Sequence, residues 1–221
     1  MRLFLNFIPA LIIVTGLFSC NNKFAKVQKS HDTEYKLQQA DEYFANKKYH
    51  NAASLYEELF SAMKGTDKFE DLCYKYAYCF YNQKEYQSAE NQFKFYLEVF
   101  PNSPRAEEVD YMRAYSYFKQ SPKVELEQVN TIKAMNMMQS FINTHPGSPR
   151  IKDANNIIDL GRAKLEDKEA RSANLFYNLG QYRAAGLAFN QLLNKYPETG
   201  KGEHYKLMAV KSYYKFAKLS I

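Results

Sequence analysis

The 221 residues include no tryptophan, only eight glycines, three cysteines and four histidines. That scarcity limits the chemistry available. His31, His50, His145 and His204 stand isolated, with no HExxH pair, no metal-spaced cysteine set and no GxSxG element around them. The glycines gather into no phosphate-cradling loop. No catalytic residue, metal site or cofactor is expected, and the chain reads as a non-enzyme. Cys73 and Cys79 lie six residues apart in a stretch of helical pattern, about 9 Å along the axis and on different faces. They cannot easily pair with each other, fit no thiol-exchange motif, and read as small buried apolar residues. Nor is there a massed charge of one sign. The net charge is +6, but the lysines are interspersed with Glu and Asp as on a solvated helical surface, so no nucleic-acid partner is expected.

The N-terminus is different in kind. After Arg2 an apolar stretch from Leu3 to Phe18, interrupted by Asn6 and Pro9, gives way at once to Asn21, Asn22 and Lys23. A membrane-spanning helix needs about twenty consecutive apolar residues, so residues 1–19 read as an export signal, absent from the mature protein. Leu17-Phe18-Ser19-Cys20 resembles a bacterial lipobox. The resemblance implies that Cys20 becomes the lipidated N-terminus, with diacylglycerol on its thiol and a third acyl chain on its amine. Residues 20–33 would then be the anchor and its linker. Each buried methylene contributes roughly 0.8 kcal/mol, so several chains hold a protein on a bilayer where one does not. Asn21 is not the aspartate of inner-membrane retention, and no acidic cluster follows Cys20. Lipoprotein sorting rules therefore imply the periplasmic face of the outer membrane, with outer-membrane lipid as the partner of the acyl anchor.

The mature remainder is rich in Tyr and Phe and carries one pattern four times: Tyr49, Ala52 and Tyr56; Tyr86, Ala89 and Phe93; Thr131, Ala134 and Met138; Tyr182, Ala185 and Phe189. In three copies a proline (Pro101, Pro146, Pro197) lies twelve residues past the alanine. This is the second half of a tetratricopeptide repeat: a small residue lets two antiparallel helices approach, a large one fills the next turn, and proline stops the helix. First-half helices are expected at roughly 34–46, 69–82, 107–119 and 166–178, with Ala40, Ala77, Ala114 and Ala173 at their contact points. The fold class is therefore all-α, an α-solenoid of helix-turn-helix repeats. The second-half alanines are 37, 45 and 51 residues apart, longer than the standard unit. The excess falls in turns with Pro-Asn-Ser-Pro (101–104) and Pro-Gly-Ser-Pro (146–149), where Ser is expected to cap the next helix and Pro to open it. More falls in the segment 120–128, and in one long helix of about thirty residues after Pro149. A last helix is expected at about 202–219.

The lipobox, these unit lengths, the two Pro-containing turns, the element Arg162-Ala163-Lys164-Leu165-Glu166 and the run from Tyr177 through Gln181-Tyr182-Arg183-Ala184-Ala185 to Tyr196-Pro197-Glu198-Thr199 together resemble the BamD family. These are lipoproteins that support the β-barrel insertase of the outer membrane, and the resemblance covers about residues 20–221. Family members usually complete a fifth helix pair, of which this sequence carries the first helix. The resemblance implies a non-catalytic scaffold. Residues 34–103 (repeats 1 and 2) would face unfolded outer-membrane proteins and receive their C-terminal signal. Residues 104–221 would hold the periplasmic domains of a BamA-type insertase. A different periplasmic repeat lipoprotein, one that tethers cell-wall enzymes, shares the anchor and the repeats. A surface chaperone or nutrient-binding lipoprotein is a third reading.

Counting from the alanines, the line that the first helices present on the inner side reads Leu37, Asp41 and Phe44, then Tyr74, Tyr78 and Tyr81, then Tyr111, Tyr115 and Phe118. Spacings of four and three keep each triplet on one helical face. Tyr43, Tyr76, Phe80 and Tyr117 are expected to face partner helices instead. Tyrosine offers large contact area plus a hydroxyl at modest entropy cost. The line is thus a candidate groove for an extended peptide with an aromatic end, such as the alternating terminal strand of a barrel, bound at micromolar strength, about −8 kcal/mol.

Overall fold

The computed structural model describes residues 23–220; Cys20, with the expected export signal, lies outside the described residues. A first helix, α1, is described over residues 23–28. It is followed by α2 (Thr33–Ala45), α3 (Tyr49–Met63), α4 (Phe69–Asn82), α5 (Tyr86–Val99), α6 (Ala106–Lys119), α7 (Val129–Thr144), α8 (Ile151–Asn178), α9 (Tyr182–Lys195) and α10 (Gly202–Leu219). The described residues contain no strand, and none of their helices is long and apolar enough to cross a membrane. The long helix expected after Pro149 is α8, whose 28 residues reach about 42 Å; the expected last helix is α10.

The chain divides into two compact units, residues 1–116 and 117–221, and the division falls within α6. In the first unit α2 packs on α3, α3 on α4 and α4 on α5; in the second, α7 packs on α8, α8 on α9 and α9 on α10. The repeat alanines make these contacts possible. Ala40, Ala52, Ala77, Ala89, Ala114, Ala134, Ala173 and Ala185 are all buried, and Tyr56, Phe93, Met138 and Phe189 are sealed one turn beyond the second-helix alanines. Each such large side chain contributes about 1.5–3 kcal/mol by leaving water. Gly161 plays the same part between α7 and α8, because a Cβ there would lie 2.5 Å from Met135 Sδ.

Three of the turns between paired helices share one form. Lys47, Lys84 and Gly180 take positive φ (58°, 65° and 77°). The next residue's N–H bonds back to the helix: Lys48 to the Tyr43 carbonyl at 2.8 Å, Glu85 to Phe80 at 3.0 Å and Gln181 to Phe176 at 2.9 Å. That is the left-handed helix stop that supplies a donor to an otherwise orphaned carbonyl. The third pair lacks it. There the segment 120–128 is strapped onto α8: Lys164 Nζ donates to Ser121 Oγ (2.6 Å), Lys168 Nζ to the Leu126 carbonyl (2.8 Å) and Arg171 Nη1 to Glu125 (2.7 Å).

The stop-and-restart turns differ from expectation in one respect. The helices open at Ala106 and Ile151, two residues past Pro104 and Pro149. Ala106 N–H donates to the Ser103 carbonyl at 2.9 Å and Ile151 N–H to that of Ser148 at 3.3 Å. Each proline therefore occupies the second position of a β-turn, which its fixed φ suits, rather than the first helical position. The serine hydroxyls accept from Arg105 (3.0 Å) and Arg150 (3.1 Å) inside that turn.

Candidate peptide-binding face

The inner line of the first unit starts at Leu37, which is buried, and Asp41, which is already engaged. The Asp41 carboxylate accepts the Tyr56 hydroxyl at 2.6 Å and Lys75 Nζ at 2.9 Å. Phe44 is half-buried and meets Tyr49 edge-on at 5.7 Å. In the next repeat Tyr74 and Tyr78 lie 4.7 Å apart, and both donate their hydroxyls to Glu108 Oε1, at 3.1 and 2.5 Å. Tyr78 also packs edge-on to Phe93 at 5.2 Å. Burial, reinforced by Glu108, pushes the Tyr78 phenol far above its ordinary pKa; burial likewise raises Tyr81, to about 12. Both stay protonated donors at any physiological pH.

Tyr81 joins the repeats. Its ring meets Tyr78 at 6.2 Å, Tyr86 at 5.6 Å and Tyr115 at 6.3 Å. Tyr115 in turn stacks on Tyr111 at 5.8 Å with an interplanar angle of 15°. Tyr111 is buried, while Tyr74, Tyr78, Tyr81 and Tyr115 are half-buried. These four are therefore the rings that combine a fixed position with an accessible face. Phe118, half-buried, lies in the last turn of α6, in the second unit. Tyr43 and Tyr76 are buried as core; Phe80 packs on Tyr76 at 4.9 Å; Tyr117 lies under Lys133 at 5.4 Å.

A polar lattice that the aromatic count missed holds this line in place. Glu34 pairs with Lys68; Asp71 takes Arg105 Nη1 at 2.8 Å and Lys75 Nζ at 2.6 Å. The Arg105 guanidinium lies over the Tyr74 ring at 4.5 Å, a cation–π contact that fixes the ring plane. The lattice has a sequence signature. A 37-residue shift carries acid onto acid (Glu34, Asp71, Glu108) and base onto base (His31, Lys68, Arg105), and Glu34 and Asp71 each meet the base of the following repeat, Lys68 and Arg105. Burial pushes the Asp71 carboxyl up, but the hydrogen bonds from Lys75 and Arg105 outweigh it and hold the pKa below its ordinary value. The neighbouring Glu70 accepts Ser103 Oγ at 2.6 Å and the Tyr96 hydroxyl at 2.7 Å, which keep its pKa low as well. In the second unit Glu166 repeats the device with Thr199 at 2.6 Å and Tyr205 at 2.7 Å.

The described residues bring together no cluster of His, Cys, Asp and Glu able to hold a metal ion. What they present is an aromatic surface on stacked helix pairs, the architecture of a helical-repeat protein. Within that class the chain belongs to the YfiO family of outer-membrane lipoproteins, whose pattern matches residues 29–218. No curated protein matches the sequence. Similar solved structures include the TPR2AB domain of yeast Sti1 in its pHSP90 complex, at 13% identity over 84% of this chain and 72% of that one, with a TM-score of 0.47. The TPR-like repeats of a kinesin light chain from Podosopora anserina align at 11% identity over 84% and 87% of the two chains, with a TM-score of 0.39.

Proposed function

We propose that the protein is a lipid-anchored, non-catalytic subunit of the outer-membrane β-barrel assembly machinery, as the BamD family is. Cys20 carries the acyl anchor at the periplasmic face. Residues 34–103 meet unfolded barrel proteins along the tyrosine line, and residues 104–221 hold a BamA-type insertase through its periplasmic domains. The observation that carries this reading is the extent of the family match. It runs through the helix pairs from residue 29 to 218, so what the family shares is the repeat array itself, whose chemistry is surface binding.

Peptide recognition on the line uses ring faces more than hydroxyls, since Tyr74 and Tyr78 spend theirs on Glu108. A strand's alternating apolar side chains stack on Tyr81 and Tyr115, whose rings bridge two repeats. Tyr81→Ala should therefore weaken binding of a synthetic C-terminal barrel-strand peptide about tenfold, close to 1.4 kcal/mol, as read by fluorescence anisotropy. Unchanged affinity would remove the line from substrate binding. The role itself is tested by isolating the tagged, full-length lipoprotein from gently solubilised outer membranes and identifying stoichiometric partners by mass spectrometry. A large β-barrel with periplasmic domains is expected. Its reproducible absence, with cell-wall enzymes recovered instead, would replace assembly by tethering.

A further inference from the structure

Residues 23–30, which separate the expected anchor cysteine from the first repeat, are fastened to that repeat. Val27 of α1 is fully buried, and Phe24 meets Tyr43 of α2 edge-on at 5.7 Å. Lys23 pairs with Glu42 at 3.3 Å, and Gln28 Nε2 donates to Glu58 of α3 at 2.9 Å. Lys36 Nζ closes the clasp by donating both to Glu58 (2.7 Å) and to the Gln28 carbonyl (3.0 Å). Just past α1, the Lys29 and Ser30 N–H groups bond back to the Ala25 and Val27 carbonyls. The helical spacing therefore continues and puts Lys26 and Lys29 on one side. With Ala25, Ser30 and Tyr35 these lysines line an open hollow. Both are exposed, as is Tyr35 at 38%. The acids of this region are committed elsewhere: Glu42 to Lys23, Glu58 to Gln28 and Lys36, Glu34 to Lys68, and Asp32 to the Tyr35 N–H at 3.0 Å. Among the described residues neither Lys26 nor Lys29 has a side-chain partner.

We propose that Lys26, Lys29 and Tyr35 form a contact for anionic phospholipid headgroups, which turns the acyl anchor into an oriented mount for the first repeat. This rests on lipidation of Cys20 and on no other part of the assembly reading. Cys20 is three peptide steps from Lys23, so at most about 11 Å separates them even with the chain fully extended. From Lys23 to Lys29 the helical rise adds about 9 Å. A diacylglyceryl thioether lies in the headgroup layer, and the field of a charged membrane surface reaches about 8 Å further at physiological salt. The tether thus keeps both ammonium groups where lipid phosphate is the nearest anion. Tyrosine, with an apolar ring and a hydroxyl, suits that wet boundary. Two lysines are too few to hold a free protein on a bilayer, but a tethered one is already at high effective concentration. Their attraction to anionic lipid therefore sets orientation rather than attachment. Val27, Phe24 and the Glu58 clasp pass that orientation from α1 to α2 and α3.

The test uses the lipoprotein isolated from outer membranes, with a photo-cross-linking aromatic residue in place of Tyr35, reconstituted in vesicles of phosphatidylethanolamine and phosphatidylglycerol. The acyl mass at Cys20 is read on the same sample. A cross-link to phospholipid is expected. Lys26→Glu combined with Lys29→Glu, both changes at exposed positions, should lower its yield about tenfold while the acyl mass and the thermal melt stay in place. Vesicles of phosphatidylethanolamine alone should lower the yield of the parent in the same way. An acylated chain that gives no phospholipid cross-link, a yield indifferent to the charge reversal, or equal yields in the two kinds of vesicle would each overturn the proposal and leave the anchor standing. A chain without acyl mass at Cys20 would overturn the anchor and this contact with it. In intact outer membranes, a cross-link from position 35 to protein in place of phospholipid would overturn the contact as well.

Discussion

Lys47 and Lys84 hold a backbone conformation that L side chains adopt at a cost of roughly 1–2 kcal/mol, at a turn position that Gly180 fills in the fourth pair. Replacing either lysine by glycine removes that cost, against a smaller loss from the more flexible unfolded chain. Lys84→Gly is therefore expected to raise the melting temperature by about 1–3 °C, scaled for a chain of this size. A calorimetric melt at lower temperature would show that the lysine side chain holds the turn instead. The cysteines give a second test at this scale. Cys73 and Cys79 are free and buried, and burial pushes both thiols up to about 12. Since the thiolate is the reactive form, neither should label with a thiol reagent at pH 8 on the timescale of an exposed cysteine. Rapid labelling of the folded chain would contradict their placement.

The helix pair is the element in which sequence and energy meet most directly. Phe93 and Phe189 fill the space opposite the first helices with no exposure, so Phe93→Ala should cost about 3–5 kcal/mol in urea denaturation. A cost under 1 kcal/mol would mean that the neighbouring rings collapse into the vacancy. Between pairs, ion pairs and hydrogen bonds to carboxylates add to the ring contacts. The Glu70 and Asp71 carboxyls are held below their ordinary values of 4.5 and 3.8. A depressed folded pKa contributes stability that is present above the unfolded value and disappears as pH falls through the folded one. The melting temperature should accordingly stay level from pH 7 to about 5, then fall below about pH 4.5. Both groups are partly solvated, so the effect is modest. Glu70→Gln should melt lower than the parent at pH 7 and converge with it in acid; a constant difference across that range would rule out this linkage.

At the scale of the molecule, the chain divides into two units of comparable length, and the candidate surfaces divide with them. The tyrosine line from Leu37 to Tyr115 belongs to the first; most of the region proposed to hold the insertase, residues 104–221, belongs to the second. A scaffold that meets different partners at separate surfaces can hold them at once, which raises the effective concentration of each for the other. Mutations should show that separation: Tyr81→Ala is expected to weaken binding of the strand peptide while leaving recovery of the β-barrel partner from solubilised outer membranes unchanged. Loss of that partner from the Tyr81→Ala protein would mean that the two surfaces are coupled.

Helix order and helix pairing were legible because small and large residues recur at fixed intervals. An alanine followed four residues later by a large side chain has one economical use, the close crossing of two helices, and the alanines at 52, 89, 134 and 185 are all buried as that use requires. The first-half helices, the 28-residue α8 and the last helix follow from the same pattern, because helix formation and its interruption by proline are local events. Local pattern also placed the tyrosines on one face. It could not say how much of each ring stays open, which depends on what the next repeat brings across. Tertiary structure alone joined Tyr74 and Tyr78 to Glu108, laid Arg105 over Tyr74, and strapped residues 120–128 to Lys164, Lys168 and Arg171. These contacts join residues some 30 to 46 positions apart. The 37-residue recurrence of acid and base marks where some of them fall, but their distances and burial arise only when whole helices dock.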